Sequence, residues 1–259
     1  MTAAPDASAG DARRRTEPCM GTVFSFDIRT PGVDPRALQR VIDWLHAVDA
    51  RFSTYRADSE IRRLDRGELT LEQCSPDVRR VLDLCAVAAE SSGGYFSTTI
   101  DGKLDPSGMV KGWAIEQASS MLREAGSTAH AVNGGGDIQF AGDAAPGRPW
   151  TVGIADPFRR GALAATVSGT GLAIATSSTA ERGAHIINPG TGEPAVALAS
   201  ITLTGEHLTI IDAYATAALA MGEEARAWIE SLTGVEAFAI TATGKTWQTP
   251  HFPTTSSPG

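Results

Sequence analysis

Positive charge is what this chain has least of. Twenty-two Lys and Arg face 30 Asp and Glu, a formal net charge of −8 over 259 residues. No basic patch or stripe offers itself to a polyanion, which sets nucleic-acid binding aside. Cysteine is scarce as well: Cys19, Cys74 and Cys85 are the three present. They form no C-x-x-C pair, and three cannot all pair with one another, so a disulfide framework is not expected and a reducing, cytoplasmic compartment is. Long apolar runs are also missing, and nothing approaches the roughly 18 residues that would make a membrane span. Arg13-Arg14-Arg15 could open a charged or twin-arginine leader only if an apolar segment followed, and Thr16-Glu17-Pro18-Cys19-Met20 is not one. Residues 1–16 therefore read as a disordered arm.

What remains is enough for a full core, at 42% apolar residues. Thr22-Val23-Phe24-Ser25-Phe26-Asp27-Ile28 alternates with period two and predicts a strand. Asp34-Pro35 and Ser75-Pro76 are helix starts, an N-cap followed by proline. Leu38, Val41, Ile42, Leu45 and Val48 follow the first at helical spacing, and Val78, Val81, Leu82, Cys85 and Ala89 the second. A third helix is predicted from Lys111 to Ala125, stopped by Gly126. Strands are then expected over 128–133, 137–141, 150–155, 163–168, 171–176, 199–205 and 235–241, with helices near 211–221 and 223–233. Residues 244–259 read as a loose tail. Helices lead and strands fill the middle, which is an α+β pattern and not a βαβ repeat.

Four segments carry chemistry. In Ile211-Asp212-Ala213-Tyr214-Ala215-Thr216, a carboxylate and a hydroxyl four residues apart share one helical face. Two hard oxygens so placed suit Mg²⁺, which completes its shell with water and phosphate. Alone, the pair is equally a helix opening with an N-terminal Asp. An acidic chain that handles a phosphorylated ligand must gather its few cations or import a metal. Asp105-Pro106-Ser107-Gly108-Met109-Val110-Lys111 is a tight turn feeding a helix N-terminus, a ready anion site, but not a Walker loop. Asn133-Gly134-Gly135-Gly136-Asp137 lies between strands and by itself reads as a hairpin turn. Ala175-Thr176-Ser177 with His185-Ile186-Ile187-Asn188-Pro189 joins hydroxyls to a histidine able to titrate near neutrality. A lone His between apolar residues is also a common structural residue.

Taken in order, these pieces resemble the ApbE-type flavin transferases, the FAD:protein FMN transferases. The resemblance runs from about Glu17 to Gly222. It rests on Met20-Gly21-Thr22, on Phe52-Ser53-Thr54-Tyr55 with Ser59-Glu60-Ile61, and on Asp105 through Lys111-Gly112. It rests equally on Asn133 through Ile138, on 175–177 with 185–189, and on Asp212 through Thr216. It implies a single domain over 17–243 of the ApbE-like, T-fold-related kind, a mixed sheet with packed helices and a site in a cleft between two lobes. It implies Mg²⁺ on Asp212, Thr216 and the carbonyls of Gly108 and Ala215. FAD contacts would fall on Met20, Tyr55, Phe96, Ser97, Thr98, Asp105, Lys111 and Ile186. His185 and Asp212 would be the catalytic pair. The implied reaction moves FMN from FAD to a Thr or Ser hydroxyl of an acceptor flavoprotein and releases AMP. An FAD pyrophosphatase or a non-catalytic FAD-binding module would use nearly the same residues. This chain departs from the family pattern with Ser97 and Asn188 where Asp is usual, and with a shorter segment between Phe96 and Asp105.

Overall fold

A computed structural model of the chain describes residues 13–100, 102–179 and 194–254. An eight-stranded antiparallel sheet forms its middle layer, in the order β1-β2-β5-β6-β9-β10-β11-β12. The strands are β1 Arg13–Cys19, β2 Thr22–Ile28, β5 His130–Gly134, β6 Asp137–Ala141, β9 Ala173–Ser178, β10 Leu198–Gly205, β11 Glu236–Thr241 and β12 Thr246–Gln248. Two small ribbons, β3 Thr99–Ile100 with β4 Lys103–Leu104 and β7 Trp150–Ala155 with β8 Leu163–Gly169, stand outside it. The helices are α1 Pro35–Phe52, α2 Glu60–Asp65, α3 Pro76–Ser91, α4 Ser107–Glu124, α5 Leu208–Met221 and α6 Ala225–Glu230.

The central strands are buried on both faces, and small hydroxyl residues share that burial with the apolar ones, as Ser200, Thr202 and Thr204 do beside Ile201 and Leu203 in β10. Successive residues serve different cores. Val132, Ala173, Ala175, Ala237 and Ala239 face the helices, while Ala131, Ile174, Phe238 and Ile240 face the β7–β8 ribbon and Phe252. The helix-facing alanines matter, because small residues let a helix approach the sheet closely. The helix that does so is α5, whose Ala213, Ala215, Ala217, Ala218 and Ala220 are all buried. A helix apolar all round belongs in an interior, and α5 packs against β9 and β10 on one side and α4, itself seated on β5 and β6, on another.

Four boundaries differ most from expectation. Residues 13–16 of the arm expected over 1–16 are strand instead, since Arg13–Cys19 pairs along the whole of β2. The tail expected over 244–259 contains β12 and the buried Phe252. In both cases backbone pairing with a neighbouring strand orders a segment whose side chains carry little periodic signal. The third helix starts at Ser107, a turn before Lys111. Likewise α5 starts at Leu208, so Asp212 sits one turn inside the helix. Glu116 of α4 explains that earlier start: its Oε2 accepts the Thr209 N–H at 2.9 Å and its Oε1 lies 2.8 Å from His207 Nδ1. Cys19, Cys74 and Cys85 are free and buried. Among the described residues no helix is long and apolar enough to cross a membrane.

Candidate active site

The site forms where α4 crosses α5. Gly112 allows the crossing: a Cβ there would lie 2.6 Å from Asp212 Cβ and 2.7 Å from the Leu208 carbonyl oxygen. With only hydrogen at that point, the Gly112 N–H reaches Asp212 Oδ2 at 2.9 Å. In a regular α-helix that N–H would serve the carbonyl of Gly108. Part of the donor capacity that Gly108 would use is thus directed at Asp212.

Asp212 is 1% exposed, and Lys111 Nζ lies 3.4 Å from its Oδ1. Lys111 also contacts Asp137 Oδ2. Asp137, likewise buried, accepts the Thr176 N–H on Oδ1 at 2.9 Å. Two buried carboxylates thus share one ammonium, a cluster of net negative charge. Buried charge that is incompletely paired is costly, and a bound cation would relieve it. One turn beyond Asp212, Thr216 Oγ1 is buried and, among the described residues, has no hydrogen-bond partner. An orphaned hydroxyl beside an under-neutralised carboxylate is what an oxygen-seeking divalent ion requires. The donor set therefore fits Mg²⁺. Among the described residues no group of three His, Cys, Asp or Glu could hold a metal; one carboxylate with a hydroxyl and carbonyls is a different kind of site.

The other expected residues gather along the start of α4. Gly108 is seated against Phe96, whose Cε2 would be 3.2 Å from a Cβ at that position. Phe96 is buried, its N–H donating to Ser92 Oγ at 2.9 Å, whereas Ser97 is exposed and Thr98 half-buried. The Asp105 N–H donates to the Thr98 carbonyl at 2.7 Å, and Asp105 Oδ1 accepts the Ser107 N–H at 2.9 Å. Asp105 thus closes the turn that leads into α4, whose N-cap is Pro106. Arg62 ties the Tyr55 loop to this strip, donating to the carbonyls of Thr54 at 2.6 Å and Leu104 at 3.3 Å. The Tyr55 ring is 98% exposed, a large aromatic face held ready at the edge of the strip.

Met20 stands in the β1–β2 turn with φ +51°. That turn meets the β5–β6 turn, since a Cβ on Gly135 would lie 2.9 Å from Thr22 Oγ1. The run from Asn133 to Asp137 is therefore a hairpin, and its last residue, Asp137, joins Lys111. His185 and Ile186, with Asn188, lie outside the described residues. Sequence reasoning named Asp137 only as part of a turn and gave Gly112 no role. The available signals were the glycine run before Asp137 and, on α4, the glycine at 112 itself, a close backbone approach in both places. Two open hollows, of about 420 and 480 Å³, lie elsewhere, one beside β1, β2 and β7 and the other beside Gln139 and His207.

The ApbE family model matches residues 20–103 and 98–239. A curated FAD:protein FMN transferase of Rhodobacter capsulatus is 35% identical over 158 residues, 58% of this chain and 30% of that protein. One from Vibrio cholerae is 26% identical over 269 residues, 80% of each. The match thus spans less than a third of the Rhodobacter protein. The solved flavin transferase ApbE from Vibrio cholerae superposes with a TM-score of 0.81 at 23% identity, over 93% of this chain and 98% of that one. The ApbE protein from Thermotoga maritima gives 0.82 at 19% identity, over 93% and 97%. At those identities the superpositions establish the fold: a large antiparallel sheet with packed helices.

Proposed function

The chain belongs to the ApbE family, and from that membership and the α4–α5 crossing we propose that it is an Mg²⁺-dependent FAD:protein FMN transferase. The observation that supports the reading is Lys111 Nζ 3.4 Å from Oδ1 of the buried Asp212, with the Thr216 hydroxyl, buried and without a hydrogen-bond partner among the described residues, one helical turn further on. The names of the curated relatives support FAD as the substrate and a flavoprotein as the acceptor.

Asp212 Oδ1 and Thr216 Oγ1, with the carbonyls of Gly108 and Ala215, would hold the cation. Bound there, Mg²⁺ would offset the charge of the FAD diphosphate and of the leaving phosphate oxygen. The chain's own residues do the rest by position and charge. FAD would lie in a cleft along the start of α4, between the Tyr55 loop and the sheet edge that carries Met20. Lys111 would present an ammonium to the diphosphate, and the N-terminus of α4 would add the positive end of its dipole. Tyr55 offers an exposed ring for the isoalloxazine, and Phe96 supports the backbone of 97–98. Asp105 holds the turn in shape. His185 would accept the proton of the attacking Thr or Ser hydroxyl as a new phosphoester bond forms to FMN and the bond to AMP breaks. Phosphoryl transfer of this kind depends chiefly on alignment and charge neutralisation.

The test is Asp212→Ala. With micromolar FAD, Mg²⁺ and an acceptor flavoprotein, mass spectrometry of the acceptor should find FMN addition reduced by at least about 10²-fold, with the circular dichroism spectrum retained. Full activity in that variant would refute the assignment. Free FMN and AMP without acceptor labelling would mark a pyrophosphatase, and intact FAD a binding module.

A further inference from the structure

Lys111 stands between two carboxylates that do different work. Its Nζ contacts Asp137 Oδ2 and lies 3.4 Å from Asp212 Oδ1. An ammonium that close to a metal ligand is a competitor for the metal, because it neutralises the same oxygen. Asp137 is placed to draw it off. Its Oδ1 is pinned by the Thr176 N–H across the β6–β9 pairing, which turns Oδ2 toward Lys111. Asp137 is buried and Thr176 half-buried within paired strands, so the carboxylate cannot swing away cheaply.

We propose that Asp137 is a positioning residue that anchors the Lys111 ammonium, keeping Asp212 available to the cation and Lys111 poised beside the diphosphate. The inference rests on the reading of Asp212 and Thr216 as metal ligands. Without the Asp137 charge, Lys111 collapses onto Asp212 as an internal counter-ion, and the metal must displace it.

Binding of Mn²⁺ in the absence of nucleotide, followed by the EPR signal of the free ion, tests this without turnover. Asp137→Asn keeps an acceptor for Thr176 and should weaken Mn²⁺ binding by about tenfold or more. Lys111→Met should bind at least as tightly as the natural chain. In the Lys111→Met background, adding Asp137→Asn should cost less than about threefold, since the competitor is gone. Equal weakening by Asp137→Asn in both backgrounds, or none in either, would overturn the proposal. Should Asp137→Asn unfold, Lys111→Met alone decides: looser Mn²⁺ binding there refutes competition. Asp212→Asn separates the two readings. If it binds Mn²⁺ like the natural chain, the metal assignment itself is wrong, whatever Asp137 does.

Discussion

Gly112→Ala should be among the most damaging single-methyl additions this protein can suffer. In an exposed helix the exchange would stabilise by up to about 1 kcal/mol. Here the added Cβ meets Asp212 Cβ at 2.6 Å, the Leu208 carbonyl oxygen at 2.7 Å and Asp212 Oδ2 at 3.1 Å. Carbon atoms rest about 3.5–4.0 Å apart, so α4 and α5 must separate by roughly 1 Å. Overpacking of this kind costs about 1–3 kcal/mol. Separation also stretches the Gly112 N–H to Asp212 hydrogen bond, a bond to a charged acceptor worth about 1.5–3 kcal/mol. Set against the helix-propensity gain, the net loss is about 2–4 kcal/mol, or about 5–15 °C in Tm for a domain of this size. Urea unfolding followed by circular dichroism measures it. Gly108→Ala is the control: its Cβ would meet only the edge of the Phe96 ring, at 3.2 Å, and should change stability by less than about 1 kcal/mol. A Gly112→Ala protein as stable as the natural one would show that the helices are not in contact there, and the account of the site would fall with it.

Thr216→Val removes a buried hydroxyl that has no partner and preserves shape and branching. Stability should hold or rise by up to about 1 kcal/mol, while Mn²⁺ affinity drops at least about tenfold; a clear loss of stability would mean the hydroxyl has a structural partner. His130 gives a pH signature. Burial, aided by the Arg123 charge and opposed by Ser119, lowers its pKa from 6.5 to about 4, and it sits 2.9 Å from both Ser119 and Ser127 hydroxyls. Because the unfolded chain takes up this proton first, stability from a neutral His130 is full above pH 6.5 and is lost as pH falls toward 4, about 3 kcal/mol in all. Unfolding free energies across that window should show a steeper fall in the natural chain than in His130→Gln, and identical slopes would refute the assignment.

Much of this was legible from the residues. Helix starts at Asp34-Pro35 and Ser75-Pro76 are local chemistry, and each Asp34 or Ser75 side chain does cap its helix. The strand expected over 171–176 was visible from its small and apolar residues, but β9 runs on through Ser177 and Ser178, whose hydroxyls read as a loop because the pairing with β10 that makes them strand is not local. The pairing of Asp212 with Thr216 needed only the 3.6-residue turn. The edges of the sheet were not legible: β1 and β12 are ordered by a partner strand's backbone, which no side-chain pattern encodes.

The sequence by itself therefore determined most helices and central strands and put the Asp212 and Thr216 oxygens on one helical face, since these follow from neighbours a few residues apart, while the family followed from the order of motifs along the chain. Only the tertiary structure decided that Gly112 brings α4 against α5, that Lys111 is shared between Asp137 and Asp212, and that Thr216 is buried without a partner. Those facts depend on distances between segments up to a hundred residues apart, set by how small alanines and one glycine let backbones close together, and composition along the chain carries no record of such distances.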